Sequence, residues 1–242
     1  FAAGTPIDMP IPTLTIASWN INSIRIRLNL LQTLAETEKP DIICLQETKA
    51  TSEVFPFDAV RALGYPHIIE HGQKSYNGVA ILSKVPLNAT ERLDFVSSDQ
   101  FGGGARHLAV RLHNGIELHN VYIPAGGDVP DRIENPYYGY KLDYVMAMRD
   151  WFMRHRTAND ALILVGDFNI APLEQDVWSH KQLLKVVSHT PAEIDALNAF
   201  LAFGWTDAAR HFTPEPEKLY SWWSYRNRDW TKSNRGRRLD DM

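Results

Sequence analysis

The sequence predicts an α/β protein whose strands end in chemically active side chains, and three observations carry that reading. First, the apolar runs Ile42-Ile43-Cys44-Leu45 and Leu162-Ile163-Leu164-Val165 have the length and composition of buried strands. Second, apolar residues recur at helical spacing between such runs, as at Ile24, Leu28, Leu31 and Leu34, and again along Leu142, Val145, Met148 and Phe152. Third, one strand after another runs directly into polar residues. In sheets built from strands and crossover helices, ligands bind at that end.

Residues 1–12 hold three prolines and no periodicity, which predicts a flexible lead-in; residues 13–242 are expected to form one domain. Residues 13–19 alternate as a strand and end in Asn20-Ile21-Asn22. The helical pattern that follows stops at Lys39-Pro40-Asp41, since the residue before a proline disfavours helix. A buried strand over 41–46 delivers Gln46-Glu47-Thr48-Lys49. A short helix over 57–63 closes at Gly64, and strands are predicted over 66–70 and 78–84. Gly102-Gly103-Gly104 precedes no helical pattern, so it is a turn rather than a phosphate loop. Residues 107–112 and 116–123 form a hairpin around His113-Asn114-Gly115, the second strand leading into Tyr122-Ile123-Pro124. A long helix is predicted over 138–155. A further helix over 191–203 has Thr190 as N-cap and Pro191 in the first helical position.

The bulk numbers narrow the function. With 242 residues, 44% of them hydrophobic, the chain can bury one substantial core. A net charge of −4 argues against a strongly basic nucleic-acid binder but leaves room for a local basic patch. Cys44 is the single cysteine, which excludes an intrachain disulfide and favours a reducing compartment. No stretch has the length of a membrane span and no signal peptide is recognisable. The expectation is a monomer in the cytoplasm with no membrane partner.

The stretch Val165-Gly166-Asp167-Phe168-Asn169 concentrates the chemistry. On an extended segment, Asp167 and Asn169 point the same way. An anionic acceptor beside an amide suits proton removal from water next to a charged ester. The same residues also suit the turn before Pro172, so two readings are open on this stretch alone. Polar residues at other strand ends (Asn20, Asn22, Glu47 and Tyr122, with Asp240 in the tail) shift the balance towards chemistry. There is no Ser-His-Asp order, Cys-x-x-Cys, His-x-x-x-His or Walker sequence. Oxygen donors without clustered Cys or His suit a hard ion such as Mg²⁺ or Mn²⁺.

Six segments occur in a telling order: Ser18-Trp19-Asn20-Ile21-Asn22, Leu45-Gln46-Glu47-Thr48-Lys49, Asn77-Gly78-Val79-Ala80, Tyr122-Ile123-Pro124-Ala125-Gly126, Gly166-Asp167-Phe168-Asn169-Ile170-Ala171-Pro172 and Asn234-Arg235-Gly236-Arg237-Arg238-Leu239-Asp240. Together they resemble the exonuclease III family of apurinic/apyrimidinic DNA endonucleases, in the endonuclease/exonuclease/phosphatase superfamily. Trp178-Ser179-His180-Lys181 and Ser188-His189-Thr190-Pro191 resemble its bacterial branch. The resemblance implies a four-layered α/β sandwich of the DNase I-like kind, with two mainly antiparallel sheets face to face and helices outside. The strand and helix pattern fits this equally with a doubly wound sheet. The resemblance also implies a Mg²⁺-dependent phosphodiesterase that cuts duplex DNA 5′ to abasic sites, with 3′ to 5′ exonuclease and 3′-phosphatase activity at 3′ ends.

By resemblance, Glu47 is the main metal ligand, supported by Asn20. Asn22 stands where some relatives have Asp and makes a weaker or water-mediated contact. Asp167 orients or deprotonates water, Asn169 bonds the phosphate or nucleophile, and Tyr122 donates to a phosphate oxygen. Trp222 and Leu239 line a pocket for a flipped abasic sugar. Arg237 stands where relatives often have an aromatic residue. Arg106, Lys181, Arg235, Arg237 and Arg238 are expected to contact phosphates.

The family pattern continues past the match to Asp240 with another core strand and a Ser-Asp-His motif, whose His is positioned by the Asp matching Asp240. The 242 residues do not include it, and none of the nine histidines stands in a matching motif. The domain is therefore expected to be C-terminally incomplete, either as a fragment or as a truncated form. This chain alone is expected to show severely reduced incision. Two alternatives stand beside the leading reading: another phosphodiesterase of the superfamily, and a catalytically impaired DNA-binding form.

Overall fold

The alternating and continuous apolar runs become two sheets that share one core. The computed structural model describes residues 13–226 and 228–241, so the lead-in expected over 1–12 lies outside the described residues. In the first sheet, β1 (Ile16–Asn20), β2 (Ile42–Gln46), β3 (His67–His71) and β4 (Val79–Ser83) stand in the order β1-β2-β4-β3. The second holds β5 (Leu87–Glu91), β6 (His107–Leu112), β7 (Glu117–Tyr122) and β8 (Leu162–Asp167). After a two-stranded ribbon of β9 (Trp222–Trp223) and β10 (Gly236–Arg237), β11 (Asp240–Asp241) joins the second sheet, giving the order β11-β8-β7-β6-β5.

Both sheets are mixed, each with one parallel pair, β1 with β2 and β7 with β8. Their facing sides interleave Ile42, Cys44, Val79 and Ile81 with Leu108, Val110, Leu118 and Val165. The outer side of the first sheet is covered by α1 (Leu28–Thr37) and α2 (Phe57–Ala62), through Leu31 and Val60 against Ile43, Leu45 and Leu82. The outer side of the second packs on α3 (Pro136–His155), whose Tyr144, Val145, Met148 and Phe152 meet Val121 and Leu164. Four short helices follow: α4 (His180–Leu183), α5 (Pro191–Leu201), α6 (Ala208–Phe212) and α7 (Trp230–Ser233). Helix, sheet, sheet and helix make the four layers of the expected sandwich, and the doubly wound alternative falls away.

A buried polar link fixes the two sheets against each other. Gln46 Nε2 donates to Asn120 Oδ1 at 2.7 Å, and Asn120 Nδ2 donates to the carbonyls of Leu45 and Ala80 at 3.0 Å. Sliding one sheet would strand these groups in a dry core, at about 1–3 kcal/mol each.

Gly166, a residue type that often breaks a strand, continues one here. It does not release the chain from the sheet but stays in β8, opposite Val121 and Asp241. Its φ is 150°, and a Cβ there would stand 1.9 Å from the Val121 carbonyl oxygen. Glycine lets β8 approach β7 closely enough to carry Asp167 to the sheet's end.

Candidate active site

Two parallel pairs in facing sheets bring four strand ends together. Register sets Asn20 beside Gln46 in one sheet and Tyr122 beside Asp167 in the other, with Asp240 opposite Asp167 on the antiparallel edge. Glu47 follows β2 with φ 53°, a left-handed conformation that turns the chain at the strand's end. The Asn20 side-chain amide bridges the sheets, Nδ2 donating to Glu47 Oε1 and to Asp167 Oδ2, each at 2.8 Å. The Tyr122 hydroxyl donates to the same Glu47 oxygen at 3.0 Å. Lys49 Nζ holds the other Glu47 oxygen at 2.9 Å.

Burial acts to raise the Glu47 pKa, but hydrogen bonds from Asn20, Lys49 and Tyr122 outweigh it, and the net shift is downward. Asp167 moves the opposite way. Burial and then the Asp240 carboxylate hold it well above the ordinary carboxylate range, against hydrogen bonds from Asn20 and from the Asn169 N–H. Burial also raises Asp240, which Ser221 partly offsets. Tyr122 is raised by burial, then by Glu47 and Asp167, so its phenol stays a proton donor.

Several expected residues are placed differently. Asn169 has φ 53° and is not extended; it meets Asp167 by donating its backbone N–H to Oδ1 at 3.0 Å, while its side-chain amide donates to the Ile123 carbonyl at 2.9 Å. The side-chain oxygen of Asn22 accepts from Lys49 at 2.6 Å, which ties it to the ammonium that also pairs with Glu47. Arg106 is buried over the Tyr122 ring, 4.8 Å from its centroid, and is not the exposed strand-end cation the sequence suggests. Arg238 is 1% exposed and bonds Asp176 and Asp207 at 2.8–3.0 Å, with Asp241 at 2.5 Å. Three carboxylates consume its donors, so it anchors the tail and is no phosphate contact.

The other tail residues line a cleft of about 710 Å³ beside Asn169. Its walls include Trp178, Trp222, Arg235, Arg237 and Leu239. The Arg235 guanidinium lies 4.7 Å from the Trp178 ring centroid and that of Arg237 lies 5.6 Å from Trp222. Cations over indole faces give a cleft that is both positive and able to stack. Lys181 stands exposed on α4, outside that lining.

The donor set fits a hard cation. Glu47 and the amide of Asn20 offer oxygen chemistry without sulfur or imidazole, next to the like-charged Asp167 and Asp240. Among the described residues no three acidic, imidazole or thiol groups converge tightly enough to cage an ion.

Comparison with known proteins agrees with this geometry. The sequence pattern of the Endonuclease/Exonuclease/phosphatase family matches residues 17–240, and the chain belongs to that family. Exodeoxyribonuclease III of Haemophilus influenzae is 28% identical over 93% of this chain and 85% of its own length. The structure of an AP endonuclease from Archaeoglobus fulgidus superposes with a TM-score of 0.85 at 30% identity, covering 95% of this chain and 85% of that one. The 3′ phosphatase NExo from Neisseria, bound to product DNA hairpin, superposes at 0.81 and 30% identity with the same coverage. Within the family the chain stands with exonuclease III, as a hydrolase acting on DNA phosphodiester bonds. Among the described residues no helix is long and apolar enough to cross a membrane.

Sequence reasoning missed two residues behind this site, Lys141 and Glu193. Both are 0% exposed and they pair at 2.5 Å. The signal that could have found them is a lysine beside the apolar stripe of α3 and a glutamate three residues after the Thr190 N-cap.

Proposed function

We propose that the protein is a Mg²⁺-dependent DNA-repair phosphodiesterase that cuts duplex DNA 5′ to abasic sites and also works at 3′ ends as an exonuclease and phosphatase. The observation that carries this reading is the Asn20 bridge. One amide orients two carboxylates at 2.8 Å each, Tyr122 reaches the same Glu47 oxygen, and Asn169, bonded to Asp167, lines a positive, tryptophan-walled cleft.

In this reading Asp167 accepts the proton of the attacking water, held in place by Asn20 and by the Asn169 N–H. Tyr122 donates a hydrogen bond to a non-bridging phosphate oxygen as charge develops on it. Glu47 and Asn20 would hold Mg²⁺, or Mn²⁺ in its place, which neutralises the phosphate and the departing oxygen when bound. Asp240 supports Asp167 from the neighbouring strand. Trp222 and Leu239 receive the base-free sugar, and Arg235 and Arg237 draw in the backbone. Similarity to the Neisseria 3′ phosphatase, a protein bound to product DNA hairpin, supports the activity at 3′ ends.

The test uses protein expressed from its complete reading frame on a duplex with a single abasic site. Cleavage 5′ to the site with Mg²⁺, its loss with chelator, and loss of at least about 10²-fold in Glu47→Gln are expected. Cleavage that persists in chelator would sink the metal assignment. An intact abasic duplex combined with turnover of another phosphodiester would move the protein elsewhere in the superfamily.

A further inference from the structure

Behind the site three backbone segments with positive φ converge on one buried ion pair. Gly126, Asn169 and Ser188 have φ of 85°, 53° and 91°, the last two without the freedom of glycine. Lys141 Nζ, on α3, donates to Asn169 O at 2.7 Å and to Ala125 O at 3.3 Å, and pairs with Glu193 Oε1 at 2.5 Å. The Glu193 carboxylate accepts from Ser188 N at 3.0 and 2.9 Å and from Thr190 N at 3.1 Å. Ser188 Oγ in turn accepts from Arg237 Nη1 at 2.7 Å, in the wall of the cleft. One lysine and one glutamate thus tie together the loop after β7, the Asn169 turn after β8 and the pocket arginine.

We propose that Lys141 and Glu193 are positioning residues that fix Asn169 and Ser188 for catalysis. Capping α5 requires only the Thr190–Glu193 exchange, not a desolvated lysine. A buried ion pair adds little stability over apolar groups of similar shape, because desolvation consumes its Coulombic gain. What the pair supplies is geometry: a cation donating to two carbonyls and an anion accepting two N–H groups hold the Asn169 and Ser188 turns together. Neither side chain touches the reacting atoms.

The proposal rests on the phosphodiesterase reading, and the experiment separates the two. In protein from the complete reading frame, K141M/E193Q replaces the ion pair with uncharged groups of similar size. Melting temperature, kcat and KM on the abasic duplex, and hydrogen exchange of the Asn169 and Ser188 amides are measured. The double variant is expected to melt within a few degrees of the parent, with KM within about threefold and kcat about tenfold or more lower. The two amides should exchange about tenfold faster while core strands keep their protection. Parental kcat and exchange in the folded double variant would overturn the proposal. So would loss of folding in both K141M/E193Q and Glu193→Gln, which would assign the pair to stability alone. If the parent leaves the duplex uncut, the phosphodiesterase reading fails, and exchange by itself decides the positioning role.

Discussion

The strand β7 carries a charged assembly at each end, and the two are built on opposite principles. At its start, Glu117 is saturated. His119 Nε2, Arg111 Nη2 and Arg156 Nη2 each stand 2.8 Å from its oxygens. His119 Nδ1 continues to His107 Nε2 at 2.9 Å. Hydrogen bonding from His119, then from Arg156, takes the Glu117 pKa down to about 2 despite burial. Burial, then His119, keeps His107 neutral. At the other end, Tyr122 faces two carboxylates, Glu47 and Asp167, with Asp240 opposite Asp167 and Lys49 the ammonium paired with Glu47. Asp167 and Asp240 face each other directly across β8 and β11. One end of a single strand is neutralised within the protein, and the other holds more carboxylates than ammonium groups. Electrostatics satisfied internally stabilise a fold; electrostatics left open serve a ligand at a cost in stability.

Substitutions at the two ends should separate these roles. The largest effect is expected from Asp167→Asn. Removing the proton acceptor should lower kcat on abasic duplex by about 10²- to 10⁴-fold with KM little changed, by steady-state kinetics. Equal losses in kcat/KM carried by KM alone would make Asp167 a binding group. Next comes Glu117→Gln, which leaves Arg156 and Arg111 short of a charge partner. It should destabilise by about 3 kcal/mol in urea unfolding, with cleavage per folded molecule unchanged.

The Glu117 shift also fixes a pH window. Its folded pKa lies below the unfolded value, so its stabilisation is complete above about 4.3 and is lost as pH falls through about 2. The difference in stability between parent and Glu117→Gln should shrink over that window in acid melts. A difference that stays constant down to pH ~2 would mean that the salt bridges do not set it.

The positions of the strand ends are legible because apolar runs terminate visibly in Asn20, Glu47, Tyr122 and Asp167. What each side chain does there depends on partners far along the chain. Arg238 reads as a basic tail residue, yet Asp176, 62 residues earlier, takes its guanidinium. Arg106 turns inward because the Tyr122 ring offers it a face. Lys141 stands beside a helical stripe and reads as solvated until Glu193, 52 residues on, supplies the counter-charge. The strand β5 is not legible because Leu87-Asn88-Ala89-Thr90-Glu91 is a half-exposed edge, with too few apolar positions to show a period of two. Gly166 reads as a chain breaker, and only the Val121 carbonyl beside it explains why a glycine continues the strand.

The smallest effect tests the contrast most directly. Like charges placed opposite one another across a strand pair weaken it, so Asp240→Asn should stabilise the metal-free protein by about 0.5–1 kcal/mol while lowering the cleavage rate. Melting in chelator at neutral pH, paired with a single-turnover rate in Mg²⁺, gives both numbers on one preparation. A higher melting temperature with slower cleavage is the predicted result. A lower melting temperature, or a parental rate, would contradict the claim that this end of the strand is held open for function.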